Sequence, residues 1–372
     1  MPFPNDIQSA LLFDTPVRHL ESVMRSFLRI EAARGAPEYN IVEAKPGVFY
    51  RLFGGGELMI TLEYIASPAK PEVFKPAMSS AITRIYCAEM GERLMRHKTH
   101  ILIGVSEGAI PSTPDIDRML SQIGYRKPGA TLPKFIRRLD VCALLSRLAM
   151  EDAPASVVHW TQSDQLIPGE MFDTLAAGSA PGPLHIHPYL YGGGESADGK
   201  PLAGIRTFGA AHFIDREIRI EPSELPWAAN FQTIIAFLNV ATTTNGYVIP
   251  DDDTFGPEDH SLSYRVRHIA ATGDDAALYE LTPLLHREFG YQSADYVPRE
   301  RVFDDRAPPE DLMPPAKAER EELLDEWQAK RAMAEGIGGR FEVRARDPQP
   351  RPTPPSQPTG FGVRRVFGRK TG

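Results

Sequence analysis

The stretch that decides the fold of this chain is residues 205–256, which reads as strand, turn, strand, helix and strand in succession. It opens with Ile205-Arg-Thr-Phe-Gly-Ala-Ala-His-Phe213, whose β-branched and aromatic residues favour a strand. After a tight connection at Ile214-Asp215, the segment Arg216-Glu-Ile-Arg-Ile220 alternates charged and apolar residues. This alternation predicts a second, half-buried strand.

The second part of the same stretch predicts a helix and an acidic loop. Pro222-Ser-Glu-Leu-Pro226 is a plausible helix start, and apolar residues follow at helical spacing at Phe231, Ile234, Ile235 and Leu238. Asn245-Gly246 should end this helix, and Tyr247-Val-Ile249 is predicted to be a short strand. Pro250-Asp-Asp-Asp-Thr-Phe-Gly256 is the acidic loop.

The N-terminal region repeats a similar order of elements. A strand at residues 10–13 precedes a helix that extends to about Ala33. Residues 48–53 and 58–64 flank a Gly-Gly-Gly turn and predict a hairpin. A second helix to about Arg96 and a strand at residues 100–105 complete an order typical of a split βαβ unit.

The region after this unit predicts a second module. Residues 107–133 are rich in Gly, Pro, Ser and Asp and favour a linker or loop. The clearest helix of the chain follows at residues 135–150, and its apolar stripe predicts burial on most sides. The stripe contains Phe135, Leu139, Cys142, Leu145 and Ala149. Strands are then predicted at 156–160 and 184–190, a short helix at 169–176, and a last helix at 275–289.

These elements predict an α+β fold made of two ferredoxin-like modules packed together, residues 1–106 and 134–298. Residues 299–372 contain three Pro-Pro pairs and few core-forming residues, which indicates a largely disordered tail. A short amphipathic helix is expected within it at residues 315–335. The final stretch, 340–372, carries eight basic and two acidic residues.

Bulk properties restrict the class of protein. Of the 372 residues, 42% are hydrophobic and 24% are charged, as expected for a globular protein. The net charge is −8. This charge argues against general affinity for nucleic acid. Two cysteines, Cys87 and Cys142, favour a reduced, cytoplasmic setting over a disulfide framework. The N-terminus lacks a signal-peptide pattern, and no apolar run approaches the roughly 20 residues of a membrane span.

Several short motifs occur in an order that resembles the bacterial domain-of-unknown-function family 4261 over about residues 100–268. The motifs are His100-Ile-Leu-Ile103, an Ala/Leu-rich helix with a strand ending at Trp160, Thr207-Phe-Gly209, Glu217-Ile-Arg-Ile220, and Asp251-Asp-Asp-Thr-Phe-Gly256. In the last motif, Asp252 stands where the family pattern has glycine. The resemblance supports the fold prediction and implies no activity.

Two groups of residues are candidate metal ligands. Asp251 and Asp253 provide hard oxygen atoms suited to Mg²⁺ or Ca²⁺, although Asp is also a common turn residue. His185 and His187 are two residues apart on a predicted strand and would share a face, a spacing found in zinc sites. Two histidines on the polar face of a sheet are the simpler interpretation.

No nucleophile motif or reactive cysteine setting is present, so no catalytic residue and no cofactor are predicted. The basic tail suits contact with an acidic protein face, nucleic acid or anionic lipid, and its two phenylalanines favour a linear docking motif for a protein partner. A solubilising tail with no partner is the alternative. Its candidate binding residues are Phe361, Arg364, Arg365, Phe367, Arg369 and Lys370. The sequence therefore predicts a non-enzymatic cytoplasmic binding or accessory protein. The alternative is a metal-dependent hydrolase that uses Asp251, Asp253 and nearby histidines.

Overall fold

The computed structural model describes residues 3–4, 6–17, 19–108, 119, 122, 131–196, 199–244, 248–257, 261–273 and 275–296. The predicted tail, 299–372, lies outside these residues, as do its expected helix at 315–335 and most of the predicted linker. The described part has the predicted α+β class, with two mostly antiparallel sheets and helices packed on them.

The first sheet contains seven strands in the order β2-β3-β4-β5-β1-β6-β7. Its strands are β1 (Asp6–Phe13), β2 (Tyr39–Lys45), β3 (Phe49–Gly54), β4 (Leu58–Ile65), β5 (Thr99–Glu107), β6 (Val157–Trp160) and β7 (Gln165–Pro168). All neighbours pair antiparallel. The sheet therefore combines strands from both predicted modules, because β6 and β7 continue it beyond β1.

The strands of the second sheet all follow those of the first sheet in the sequence. Its strands are β8 (His187–Glu195), β9 (Pro201–Phe208), β10 (Glu217–Ser223), β11 (Thr254–Phe255), β12 (Leu262–Ile269), β13 (Leu278–His286) and β14 (Tyr291–Gln292). The order is β11-β12-β13-β10-β9-β8, with β14 added on β13. The pair β10–β13 is parallel, and the other pairs are antiparallel.

The helices that lie wholly within the described residues are unequal in length. They are α1 (Leu20–Ala33), α2 (Lys75–Ser79), α3 (Ala81–Tyr86), α4 (Met90–Arg96), α5 (Leu132–Glu151), α6 (Gly169–Leu175), α7 (Ala211–Ile214) and α8 (Trp227–Thr243), with 3-10 turns at Pro71–Phe74 and Arg287–Phe289. The single helix expected before Arg96 is thus divided into short helices. Within the described residues, no helix has the length and apolar character needed to cross a membrane.

The first sheet is covered on both faces, because alternate side chains of β1 point into two different cores. Leu11 and Phe13 face the main core with α1 and α5, whereas Ala10 and Leu12 face a smaller core under the short helices. The second sheet packs its inner face on α8, and its residues belong to the same continuous core as α1 and α5.

Several sequence predictions are confirmed. The hairpin forms as β3 and β4, and Gly55 at its turn adopts φ +56° directly against the ring of Tyr39, where a Cβ atom would lie 2.0 Å from that ring. The predicted helix at 135–150 is α5, and Leu139, Cys142 and Leu145 on it are completely buried. The burial follows from its position over β1 and β5 beside α1.

The ferredoxin-like modules are not confirmed. A split βαβ unit places the strands that flank its crossover parallel to each other. In the first sheet, β1 instead has two antiparallel neighbours, β5 and β6. The only parallel pair in the described chain joins β10 to β13 across α8, β11 and β12.

The helix predicted at 275–289 is wrong, because this segment forms β13 and a 3-10 turn. Leu278, Leu281 and Leu285 have helical spacing, which explains the error. Pro283 lies in the middle, however, and a proline inside a helix would remove a hydrogen bond and clash with the preceding turn. Pairing with both β10 and β12 stabilises the extended conformation instead.

The opening stretch is also corrected in detail. The first strand ends at Phe208, and α7 occupies the following residues instead of a continuous strand to 213. The carboxylate of Glu217 accepts hydrogen bonds from the backbone N–H groups of Gly209, Ala210 and Ala211, which fixes the turn before α7. Of the strand predicted at Tyr247-Val-Ile249, the described residues Val248 and Ile249 are not in a strand.

Candidate functional site

The two candidate histidines do not lie together on one strand. His187 is the first residue of β8, whereas His185 precedes the strand in a turn. Both are buried, but their rings contact different parts of the molecule. His185 packs edge-on against Trp160 and Phe213, with ring centroids 6.0 and 6.4 Å away. The shared face expected from their spacing is therefore not formed.

His187 forms a polar junction with Ser80, which lies between α2 and α3. Its Nε2 lies 2.7 Å from the Ser80 hydroxyl, and its Nδ1 lies 3.1 and 3.0 Å from the carbonyl oxygens of Ser163 and Asp164. Since carbonyl oxygens only accept, Nδ1 carries the hydrogen of the neutral ring and Ser80 donates to Nε2. Burial lowers the pKa of His187.

The Ser80–His187 pair resembles the nucleophile–base pair of covalent catalysis, in which a third group orients the base. Access decides against this role. Ser80 is 2% exposed and His187 is 5% exposed, so a substrate carbonyl cannot approach the hydroxyl in this arrangement. The pair instead connects α3 to the first residue of the second sheet.

Side chains from the turn between β6 and β7 and from the start of β7 form hydrogen bonds with the segment that precedes β8. Ser163 donates its hydroxyl hydrogen to the carbonyl oxygen of Leu184 at 2.7 Å. The side-chain amide of Gln165 donates to the carbonyl oxygens of Leu184 and Ile186 at 3.0 and 3.3 Å. The segment that precedes β8 is therefore fixed by side chains from the first sheet, which joins the two sheets through a buried polar network.

His159 and Asp164 complete this network. Nε2 of His159 lies 2.9 Å from Oδ1 of Asp164, and its ring packs edge-on against Phe74. Asp164 adopts φ +46°, a turn conformation that aspartate tolerates. Its backbone contacts His187 while its carboxylate contacts His159, so one residue ties both histidines to the turn.

Only one ring nitrogen of His185 has a hydrogen-bond partner among the described residues. Its Nδ1 accepts a hydrogen bond from the backbone N–H of Gly182 at 3.1 Å, which places the ring hydrogen on Nε2. Nε2 is buried and has no hydrogen-bond partner among the described residues. Burial lowers the pKa of His185 to about 3, so this ring is neutral.

The acidic loop uses its carboxylates within the protein. Oδ1 of Asp251 accepts from the backbone N–H of His268 at 2.8 Å, and Oδ1 of Asp253 accepts from that of Thr254 at 2.7 Å. Asp252 adopts φ +65°, a turn conformation that glycine favours and aspartate tolerates, and its carboxylate lies 3.5 Å from Nε of Arg267. Across the described residues, no group of three His, Cys, Asp or Glu side chains is placed to hold a metal ion.

A feature that the sequence interpretation missed is the outer face of the second sheet. Strand register aligns one row of side chains across five strands: Tyr189, Arg206, Arg219, Glu280 and Arg267. At one end of the row, Tyr189 is 53% exposed, and Phe208 on the neighbouring strand is 50% exposed. Exposed aromatic side chains beside an arginine are typical of binding surfaces.

Charges on this face are paired except at the aromatic end. Nη2 of Arg219 lies 2.5 Å from the carboxylate of Glu280, and its Nε lies 2.8 Å from that of Glu221. Arg206 is exposed and makes no hydrogen bond or ion pair with any residue that the structure describes. Arg206, which has no charge partner among the described residues, therefore lies next to two exposed aromatic residues on the same face.

Tyr191 extends the aromatic end of the face along β8. Its ring packs on Gly204, where an added Cβ atom would lie 2.6 Å from the ring. Its hydroxyl donates to the carboxylate of Glu221 at 3.1 Å. Burial and the nearby Glu221 raise the pKa of Tyr191. We define the aromatic face as Tyr189, Tyr191, Arg206 and Phe208.

A sequence signal for this face existed. Tyr189 and Tyr191, and likewise Arg206 and Phe208, are two residues apart, so each pair shares one side of its strand. What the sequence could not supply is the pairing of β8 with β9, which brings the two pairs together. The tail residues proposed for docking, 361–370, lie outside the described residues.

Comparison with known proteins adds no assignment. No protein-family model matches the chain, and no match was found among curated proteins or among solved structures. The resemblance to family 4261 therefore stays a prediction.

Proposed function

We propose that the protein is a non-enzymatic cytoplasmic binding or accessory protein, and that the aromatic face is its binding surface. The observation that carries this proposal is the exposure of Tyr189 and Phe208, at 53% and 50%, next to Arg206, which has no charge partner among the described residues. A partner that covers an aromatic side chain gains about 2 kcal/mol from apolar burial. Tyrosine and arginine are also enriched among the residues that dominate binding energy.

The cytoplasmic part of the proposal is supported by cysteine usage. Cys87 and Cys142 are both free thiols. Complete burial raises the pKa of the Cys142 thiol, and this makes it unreactive. A reduced setting is therefore compatible with both residues.

The tail is proposed as a second binding element. Residues 360–370 combine two phenylalanines with four basic residues, which suits an acidic protein partner. The proposed binding residues are Phe361, Arg364, Arg365, Phe367, Arg369 and Lys370. Nucleic acid is not expected as the partner, because the whole chain has a net charge of −8.

An affinity experiment tests the binding surface. Full-length protein is compared with the double variant Tyr189→Ser/Phe208→Ser by capture from a cell lysate, followed by mass spectrometry. The matched control is Val73→Ser/Met95→Ser, which removes two side chains that are 57% and 75% exposed in another region. We expect the face variant alone to lose a captured protein.

If the face variant captures the same proteins in the same amounts, the aromatic face is not the binding surface. Metal analysis of the purified chain tests the alternative of a metal-dependent hydrolase. Stoichiometric Zn²⁺ or Mn²⁺ that disappears in Asp253→Asn or His187→Gln would contradict the non-enzymatic proposal.

A further inference from the structure

The aromatic face presents its side chains at a spacing that suits an extended peptide. Tyr189 lies directly opposite Arg206, and Phe208 lies two residues further along β9. Side chains in this diagonal relation have Cβ atoms about 7 to 8 Å apart. Tyr189 and Tyr191 on the same strand are separated by about 7 Å. Three aromatic rings at this spacing can contact successive turns of one extended chain.

The sequence contains a peptide with matching spacing. Residues 347–358 read Asp-Pro-Gln-Pro-Arg-Pro-Thr-Pro-Pro-Ser-Gln-Pro, with six prolines in eleven residues after Asp347. Pro352, Pro355 and Pro358 recur every third residue. A polyproline II helix has three residues per turn and a pitch of about 9 Å, so these three prolines align on one side. Such segments bind in grooves lined with aromatic side chains.

We propose that residues 347–358 of this chain bind to the aromatic face of the same molecule. This proposal rests on the proposed function, since it identifies the kind of peptide that the aromatic face binds. It also implies that partner binding is regulated by the tail. The tail segment occupies the face intramolecularly, and a partner must displace it or present a proline-rich peptide of its own.

Charge complementarity sets the direction of the peptide. Arg351 directly precedes Pro352. The carboxylate of Glu221 is half exposed, next to Tyr191. A peptide placed with Arg351 near Glu221 and running toward Phe208 therefore brings Pro352, Pro355 and Pro358 in turn to Tyr191, Tyr189 and Phe208.

The overall charge favours this peptide over a nucleic acid. Residues 340–372 have eight basic and two acidic residues. Subtracting them from the totals of 41 and 49 leaves 33 basic and 47 acidic residues in the rest of the chain. A polyanion would be repelled by this acidic body, whereas the basic end of the chain is attracted to it.

The connection is long enough. Tyr296, the last described residue, follows β14, which pairs with β13 of the same sheet. Fifty residues separate it from Asp347. Even if residues 315–335 form the expected helix of about 32 Å, the other 29 residues can extend to about 95 Å. Six strands span about 24 Å, so the peptide can reach β8 from this point.

Photo-cross-linking in the full-length chain tests the proposal. Phe208→p-benzoylphenylalanine keeps an aromatic ring and, on irradiation, reacts with C–H groups in contact with it. We expect an intramolecular cross-link to a peptide within residues 347–358. The cross-link should disappear in Pro352→Ala/Pro355→Ala/Pro358→Ala. The matched control places the same probe at Ile41, which is 49% exposed on β2, and should not label this segment.

The proposal is overturned if position 208 labels no residue of this segment, or labels a second copy or co-purified nucleic acid instead. The result is separable from that of the capture experiment. A partner lost in the Tyr189→Ser/Phe208→Ser variant without an intramolecular cross-link retains the binding function and rejects the internal ligand. If the cross-link forms but the Tyr189→Ser/Phe208→Ser variant loses no captured protein, only the proposal that the aromatic face binds a partner protein is rejected.

Discussion

Acid should destabilise this protein through His185, and the effect can be calculated from its surroundings. The ring lies 4% exposed between Trp160 and Phe213, and burial lowers its pKa from 6.5 to about 3. Above pH 6.5 the ring is neutral in both the folded and the unfolded chain, and its contribution to stability is complete. Below pH 6.5 only the unfolded chain binds the proton.

The free energy of unfolding therefore falls as the pH decreases from 6.5 toward 3. Each pH unit in this window costs about 1.4 kcal/mol for one such group, which gives about 2 kcal/mol at about pH 5. Burial also lowers the pKa values of His100, His187, His212 and His286, so the loss for the whole protein should exceed this value.

Urea unfolding at about pH 8 and about pH 5 measures the effect in the wild type, in His185→Asn and in Phe213→Leu. The asparagine keeps an acceptor for Gly182 but does not titrate. We expect His185→Asn to be less stable at about pH 8 yet to lose about 2 kcal/mol less than the wild type on acidification.

Phe213→Leu is the matched control, since it leaves a cavity beside the same histidine without removing a titrating group. The difference in stability between this variant and the wild type should be the same at both pH values. If His185→Asn shows the same acid-induced loss as the wild type, His185 is not held neutral by burial and the reasoning is refuted.

Three further predictions concern the network and the tail. Gly209→Ala should destabilise by about 2 to 3 kcal/mol in urea unfolding, because φ is +107° and a Cβ atom would lie 2.6 Å from the carbonyl oxygen of His185. Gly192→Ala, which meets no atom within 4 Å, should change stability by less than about 0.5 kcal/mol, and equal losses would contradict this account. Ser80→Ala should cost about 1 to 3 kcal/mol, because Nε2 of a buried imidazole loses its donor; an unchanged midpoint would show that the junction contributes nothing. Deleting residues 340–372 should weaken capture of the partner that binds residues 361–370. Because the deletion also removes the segment proposed to occupy the aromatic face, it should lower the melting temperature by no more than a few degrees; unchanged capture would argue against a docking tail.

Local patterns were sufficient for the elements whose neighbours are close in sequence. The β3–β4 hairpin follows from two apolar runs around Gly-Gly-Gly, and α5 follows from a continuous apolar stripe. The acidic loop forms a turn, as the turn preference of aspartate suggested. In each case the sequence signal that predicts the element lies within it.

Distant pairing decided the rest. The leucines of β13 have helical spacing, and only pairing with β10 and β12 makes that segment a strand. Similarly, β6 and β7 belong to the first sheet because β6 pairs with β1, about 150 residues earlier in the chain. No pattern within either segment specifies its neighbour.

The sequence by itself determined the α+β class, the composition of the core helices and the charge contrast between the body and the end of the chain. Only the tertiary structure decided where the polar residues would lie. Ser80 and His187 are 107 residues apart, yet they share a buried hydrogen bond. Tyr189 and Phe208 form one surface only through the register of β8 and β9. The physical reason is that local periodicity specifies which side of an element is apolar, whereas contacts between elements depend on the packing of the whole core.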